Sequence, residues 1–278
     1  FILKFDDSRI HAIHYASLME VKKLILEESG EYKITIFPRI NEKIFESYHV
    51  IIHVLKDVKA KIELIEQGES LSSMTTVIEF ILHDNSEIEV VSKSTPSSVS
   101  PSYSAKIFVL KDGAKVKFNG ILENGLMHRE DSLVYLNGKN STACINIAVI
   151  GERKSKIDYY FKGLLLGSNN KLKFLGFGLA DDEAYISIRA IGEASKRSEE
   201  GSIIVESKTY NIGEKSKAVG SPLLSIRTNN IREARHAVSI SNISSDVMFY
   251  LESRGLTRDE IKELLKEELK NIIMRSCF

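Results

Sequence analysis

Residues 105–122 read AKIFVLKDGAKVKFNGIL, two short runs of alternating apolar and polar side chains separated by a Lys-Asp-Gly turn. Alternation over four to eight residues, closed by Gly, Asn, Asp or Ser, is typical of half-buried β-strands. A strand-rich region from about residue 32 to residue 242 is therefore predicted. The same pattern recurs in AKIELIEQG (60–68), SEIEVVSKS (86–94), SKIDYYFKG (155–163), NKLKFLGFG (170–178), EAYISIRAIG (183–192) and GSIIVESKTY (201–210).

These segments share a loose repeat, in which a turn residue precedes alternating apolar positions, as in residues 113–118 and 170–174. A repeat of irregular period fits the coils of a β-helix, where each coil stacks its inward apolar side chains on the next. A β-sandwich or barrel gives similar local patterning. The pattern therefore predicts a mainly β fold and leaves these architectures open.

A helical segment is predicted at the amino-terminal end, over residues 1–31, ahead of a β core over residues 32–243. Asp7 or Ser8 can cap this helix, and Gly30 can end it. Its apolar face is expected to comprise Ile10, Ile13, Leu18, Val21, Leu24 and Ile25.

A second helical segment is predicted over residues 244–278, with Ser244 or Ser245 as the cap of its first helix and Gly255 as its end. Thr257 and Glu260 have the spacing of a capping box for a further helix. That helix carries an apolar stripe, which either packs on the protein's own core or docks a partner. The stripe comprises Ile261, Leu264, Leu265, Leu269, Ile272 and Ile273.

The composition of the 278 residues is that of a globular protein, with 43% hydrophobic and 27% charged residues. The formal net charge is zero, which argues against coating nucleic acid or an anionic membrane. No apolar run approaches the roughly 18 residues of a membrane span. The first residues, FILKFDDSR, lack the features of a signal peptide, so a cytoplasmic location is expected.

Only two cysteines occur, Cys144 and Cys277, and no CxxC pair is present. The chain alone is therefore not expected to build a cysteine-rich metal or cluster site or a disulfide framework. Cys144 lies in an apolar run and is predicted to be a buried, inert thiol. Cys277 is predicted to lie in a frayed tail.

The sequence contains neither a Walker A pattern nor HExxH, so no enzymatic activity is predicted. His11 and His14 are expected to be packed or solvated. His49 and His53 are expected to share one face of a strand, where metal binding is conceivable. The acidic run at 181–183 is interpreted as a polar turn rather than a catalytic cluster.

Residues 221–265, SPLLSIRTNNIREARHAVSISNISSDVMFYLESRGLTRDEIKELL, resemble the carboxyl-terminal signature of the SufB/SufD family of iron–sulfur cluster assembly proteins. The resemblance rests on Ser-Pro before an apolar strand, on His236-Ala237, on Phe-Tyr-Leu-x-Ser-Arg-Gly over residues 249–255, and on an acidic helix beginning at Asp259. The order and spacing of these four features make the match specific over about fifty residues.

The resemblance implies a right-handed parallel β-helix in which a SufB-like and a SufD-like chain pair through their β-helices. It also implies that a SufC-like ATPase binds the helical tail, and that a transient iron–sulfur cluster forms at the subunit interface with sulfur from a cysteine desulfurase system. A flavin is a further possible cofactor of the complex, whereas the isolated chain is expected to bind none. The expected partner-binding residues are Phe249, Tyr250, Arg254, Gly255, Leu256, Ile261 and Leu265.

Two departures from SufB-like chains favour a SufD-like member of the family. SufB-like chains carry a cysteine about 28 residues before the signature histidine, where this chain has residues 207–209, Ser-Lys-Thr, and they tend to have Glu where it has Ala237. His236 then matches the interface histidine of a SufD-like chain, a candidate iron or cluster ligand, and its alternative role is structural. A SufB-like homodimer that uses Cys144, or a β-helix carbohydrate-active enzyme, remains the alternative reading.

Overall fold

A computed structural model describes residues 9–18, 20–37, 45–68, 71, 73–243 and 245–277. The predicted helix caps Asp7, Ser8 and Ser244 lie outside these residues. Within them the chain forms three helices and sixteen strands. The helices are α1 (Arg9–Ala16), α2 (Ser245–Ser253) and α3 (Arg258–Arg275). The strands are β1 (Glu20–Leu26), β2 (Gly30–Ile36), β3 (Phe45–Val54), β4 (Lys59–Gln67), β5 (Ser73–Leu82), β6 (Glu87–Thr95), β7 (Ser102–Leu110), β8 (Lys115–Glu123), β9 (His128–Leu136), β10 (Thr142–Gly151), β11 (Lys156–Leu165), β12 (Lys171–Ala180), β13 (Tyr185–Ala194), β14 (Gly201–Asn211), β15 (Lys217–Ile226) and β16 (Ile231–Asn242).

The strands form a parallel β-helix of about seven turns, which confirms the β-helix among the architectures that the pattern left open. Odd-numbered strands pair in order from β1 to β15 in one eight-stranded sheet, here called sheet A. Even-numbered strands pair from β2 to β16 in the other, sheet B. All ladders between described strands are parallel, so each coil contributes one strand to each sheet.

Turn residues that precede the even-numbered strands recur at one corner of the β-helix. Asp57, Asn85, Gly113, Asn140 and Asn169 all have φ between 56° and 65°, the left-handed conformation that Gly, Asn and Asp adopt at least cost. The N–H of Asn85 donates to the carbonyl of Asp112, and that of Gly113 to the carbonyl of Lys139, at 2.8 Å each. The turn residues seen in the sequence are therefore required by the left-handed backbone conformation that recurs at this corner of each coil.

The amino-terminal helix is shorter than predicted, because α1 ends at Ala16 and residues 20–26 form strand β1. Gly30, expected to end the helix, begins strand β2. The run EVKKLIL has apolar residues at helical spacing, but its backbone pairs in parallel with β3 from Tyr48 to Val54. Pairing with β3 in the next coil therefore gives residues 20–26 a strand conformation, although their apolar spacing is typical of a helix.

At the other end, α3 packs along the outer face of sheet B. Its capping box is present as predicted, with Thr257 and Glu260 bonded to each other's backbone N–H. Ile261, Leu269 and Ile273 are buried, the latter two in a cluster with apolar residues of β8, β10 and β12. Lysines at successive turns of α3 also bridge to acidic groups of successive coils, through Lys262–Asp181, Lys266–Glu152 and Lys270–Glu123.

Cys144 is buried, as predicted. The predictions that it is a free thiol and that Cys277 lies in a frayed tail are wrong, because the structure joins the two in a disulfide. Their Cα atoms lie 6.3 Å apart, although the residues are 133 positions apart in the sequence. Cys144 is on the outer face of β10, and the end of α3 lies over that strand, where Asn146 also donates to the carbonyl of Ile273 at 3.2 Å. The sequence contains two distant cysteines, but it does not reveal that α3 folds back over β10 and brings Cys277 next to Cys144.

Candidate assembly surface at the carboxyl-terminal end

The two sheets end at β15 and β16, and this end of the β-helix is open. Among the strands that the structure describes, β16 pairs with β14 alone, and β15 pairs with β13 alone. Along β16 every residue from Arg232 to Ile240 is exposed. Unpaired backbone groups on a long, exposed edge strand are a template for pairing with another chain.

His236 lies on this last strand, opposite Val205 of β14. Val205 is fully buried and belongs to the interior core, whereas His236 is exposed because no described coil covers it. In the same row, Val238 and Ile240 are 47% and 53% exposed at positions whose partners in β14 are buried. The end of the β-helix thus presents apolar side chains around one imidazole.

Charged side chains of the last strand pair with the coil beneath it. Arg232 contacts Glu200 at 2.7 Å, and Arg235 contacts Glu206 at 2.9 Å. His236 takes part in no ion pair or hydrogen bond among the described residues, so both ring nitrogens are available to a ligand.

Helix α2 follows the open end and carries part of the predicted partner-binding set. Phe249 and Tyr250 are 72% and 55% exposed, which is unusual for large aromatic side chains. The Arg254 guanidinium lies 5.3 Å from the centre of the Tyr250 ring. Gly255 ends the helix with φ 94°, and Leu256 is half-buried.

Two residues of the predicted partner-binding set face the protein's own core. Ile261 is 1% exposed, and Leu265 packs against the buried cluster between α3 and sheet B. The side chain of Ile261 is therefore not available to a partner in this conformation, and that of Leu265 is partly buried. Leu264 is 56% exposed; it belongs to the apolar stripe predicted from the sequence but not to the expected partner-binding set.

A charged cluster inside the β-helix was also missed from the sequence. Lys106 of β7 occupies an inward position in the same row as Phe108 and is fully buried. Its ammonium group contacts Glu66 of β4 at 2.6 Å and Glu130 of β9 at 2.7 Å, and it donates to Ser104 at 3.0 Å. The ammonium group thus donates hydrogen bonds to Glu130 and Ser104 and forms an ion pair with Glu66.

Burial and charge act against each other in this cluster. Burial would lower the pKa of Lys106, but Glu130 and Glu66 together raise it above its usual value. Burial would raise the pKa of Glu130, but Lys106 and His128 lower it to about 2. Burial raises the pKa of Glu66 by more than Lys106 lowers it. The Lys106 ammonium group thus lies between two carboxyl groups with opposite shifts: the pKa of Glu130 is lowered and that of Glu66 is raised.

Histidines of α1 and β3 lie in the packing between the helix and sheet A. His11 and His14 are packed, as expected, and His14 contacts His49 at 3.2 Å. Burial, with the charges of His49 and His11, lowers the pKa of His14 to about 4. His53 contacts His83 at 3.4 Å. No group of three or more His, Cys, Asp or Glu among the described residues could hold a metal ion.

The acidic run at 181–183 forms a turn, as predicted. Asp182 has φ 52°, and Asp181 is paired with Lys262 of α3 at 2.5 Å. This run therefore helps to fasten α3 to the β-helix.

Among the helices of the described residues, none has the length and apolar character needed to cross a membrane.

Comparison with known families gives one match that covers most of the chain. Residues 39–268 match the model described as "SUF system FeS cluster assembly, SufBD core domain". The matched region includes strands β3 to β16, helix α2 and the first half of α3.

Curated proteins give matches of low identity. A protein of Archaeoglobus fulgidus named iron–sulfur cluster assembly SufBD family protein is 24% identical over 213 residues, covering 70% of this chain and 53% of that protein. Bacillus subtilis iron–sulfur cluster assembly protein SufD is 23% identical over 145 residues, covering 51% of this chain and 33% of SufD. The Porphyra purpurea SufBD family protein ycf24 is 21% identical over 262 residues, 86% of this chain and 48% of ycf24. The chain thus spans about half or less of the length of these relatives.

Proposed function

Because this chain belongs to the SufBD core family of the SUF system for iron–sulfur cluster assembly, we propose that it is a SufD-like scaffold subunit of the assembly complex. In this role it pairs with a SufB-like chain and binds a SufC-like ATPase in the cytoplasm. It catalyses no reaction alone, and it contributes a rigid β-helix and one ligand to a cluster that the complex builds and passes on.

The observation that carries this proposal is the open end of the β-helix. Strand β16 offers a free edge, and Val238 and Ile240 expose apolar surface that a second chain would remove from water. Edge-to-edge pairing supplies backbone hydrogen bonds along the whole strand, and the apolar row supplies burial. A SufB-like chain with a similar open end is the partner that this surface fits.

His236 gives the interface its chemistry. It is exposed in the centre of this edge strand, with both ring nitrogens free to bind. A neutral imidazole is a borderline ligand for iron, and one imidazole cannot hold a cluster without further ligands from the partner. The cluster is cargo of the complex, so a site shared between two chains suits transient binding and release.

The ATPase is assigned to the surface formed by α2 and the exposed side of α3. Phe249, Tyr250 and Leu264 are each more than half exposed on consecutive helices. Aromatic side chains are enriched among residues that dominate binding energy at protein interfaces. Nucleotide-driven movement of the ATPases would then reach the cluster site through α2, which follows β16 directly along the chain.

The alternative functions receive less support from the described residues. A SufB-like homodimer would need a thiol from this chain, yet Cys144 is buried and disulfide-bonded to Cys277. A carbohydrate-active enzyme would need free carboxylates, and Asp181 is engaged by Lys262.

The test is the substitution His236→Ala in the complex co-expressed with SufB-like and SufC-like partners. Cluster yield is measured by absorbance and iron content after anaerobic reconstitution, and complex formation by size-exclusion chromatography. We expect His236→Ala to lower the yield while the complex still assembles, because an exposed side chain contributes little to folding.

Arg232→Ala is the matched control, since Arg232 is exposed on the same strand. Clusters at wild-type yield in His236→Ala would refute the ligand role. Failure of the unsubstituted chain to associate with either partner would refute the scaffold role itself.

A further inference from the structure

A groove of about 900 Å³ lies at the corner where the strands of sheet A begin. Helix α1 forms part of its wall, and the first residues of successive odd-numbered strands line the remainder. This volume falls within the range of small-molecule sites, which are typically concave and mainly apolar. The apolar lining residues include Ile10, Ile13, Phe45, Met74, Met127 and Tyr185.

A buried polar group also lines the groove. His128 is 4% exposed, and its Nδ1 is 2.8 Å from the hydroxyl of Ser102, which lines the groove as well. Its Nε2 lies 3.8 Å from Glu130 Oε2, a carboxylate of the buried cluster around Lys106. His128 is therefore part of the groove wall and already faces protein groups at both ring nitrogens.

The charges around the groove leave a positive surplus. Arg189 is neutralised by Asp158 at 2.6 Å, and Arg129 by Asp131 at 2.8 Å. Lys156 lines the same groove, is exposed, and has no ion pair among the described residues. The surplus charge favours an anionic group on a ligand whose remaining surface is apolar.

We propose that this groove binds an aliphatic carboxylate, with the hydrocarbon chain between α1 and the strand ends and the carboxylate near Lys156. The apolar walls remove the chain from water, and Lys156 supplies the charge complement. The inference is independent of the assembly role, since the groove lies at the start of the sheet A strands and uses neither β16 nor α2.

The test is isothermal titration calorimetry of the full chain with decanoate, below its critical micelle concentration. We expect saturable binding of decanoate. Decan-1-ol lacks the negative charge, so we expect the chain to bind it with lower affinity. Met127→Glu places a negative charge on a groove residue that is 57% exposed and should abolish binding without affecting folding. Lys156→Met should weaken binding roughly tenfold, the factor that corresponds to about 1.4 kcal/mol.

Leu126→Glu is the matched control, because Leu126 is exposed next to Met127 and does not line the groove. Melting temperatures of all three variants verify that they fold. Absence of saturable binding by the unsubstituted chain would overturn the proposal. Equal binding by Met127→Glu would place the ligand elsewhere, and equal affinity for decan-1-ol would overturn recognition of the carboxylate.

Discussion

Removing the buried ammonium group of Lys106 should destabilise the β-helix far more than removing an exposed lysine. The substitution Lys106→Met keeps the length and apolar stem of the side chain but leaves Glu66 and Glu130 without their cation. Breaking a buried ion pair by removing one partner typically costs about 3–5 kcal/mol. Burial alone would raise the pKa of Glu130, but Lys106 and His128 lower it, so the carboxylate depends on this cation in the folded state.

The pH dependence of the stability lost in Lys106→Met distinguishes an effect of the missing charge from an effect of altered packing. A carboxyl group whose pKa is lower in the folded state stabilises the protein above its unfolded pKa and stops doing so as pH falls through the folded value. For Glu130 this window runs from about 4.5 down to about 2. Without Lys106, burial raises the pKa of Glu130. Acid then protonates the carboxylate and removes the cost of burying a negative charge that has lost its cation. The loss caused by Lys106→Met should therefore be smaller at pH 4 than at pH 7.

The assay is urea denaturation followed by circular dichroism at both pH values. Lys117→Met is the control, because Lys117 contacts Glu89 at 2.8 Å in a partly exposed pair and should cost less than about 1 kcal/mol. The triple variant Glu66→Gln, Lys106→Met and Glu130→Gln should be more stable than Lys106→Met alone. A loss below about 1 kcal/mol at pH 7, or a loss equal at both pH values, would refute the reasoning.

Two further predictions concern the helical tail. Phe249→Asp should reduce capture of the SufC-like ATPase by at least about tenfold, as for a buried aromatic at an interface, without lowering the melting temperature; capture at wild-type affinity would move the docking surface elsewhere. Glu252→Ala, an exposed change on the same helix, is its control. Cys277→Ser should lower the free energy of unfolding by about 2–5 kcal/mol under oxidising conditions, because the disulfide closes a long loop, and should have no effect after reduction. Equal stability of both proteins without reductant would contradict the cross-link.

The sequence predicted the coils well because each strand carries its own alternation and its own turn residue. The alternation at residues 115–118 places Val116 and Phe118 on one inward face, and both are buried. The resemblance over residues 221–265 marked β16 and α2, which form the open end. These features depend on neighbours close in the sequence.

The features that sequence reasoning missed depend on the register between coils. Lys106 occupies an inward position of a regular alternating strand, but its acceptors come from coils before and after it. Strand β1 has helical spacing and becomes a strand only through pairing with β3. Ile261 has the spacing of a docking stripe, and only the packing of α3 shows that it faces inward.

The position of α3 changes how the far end of the protein should come apart. In a solenoid each coil touches only its neighbours, so unfolding ordinarily starts at a free end and proceeds coil by coil. Helix α3 runs back along the outside and is tied to three coils through Asp181, Glu152 and Glu123. The coils that it spans must lose their order together, so fraying that begins at β16 stops at a cooperative block beneath the helix.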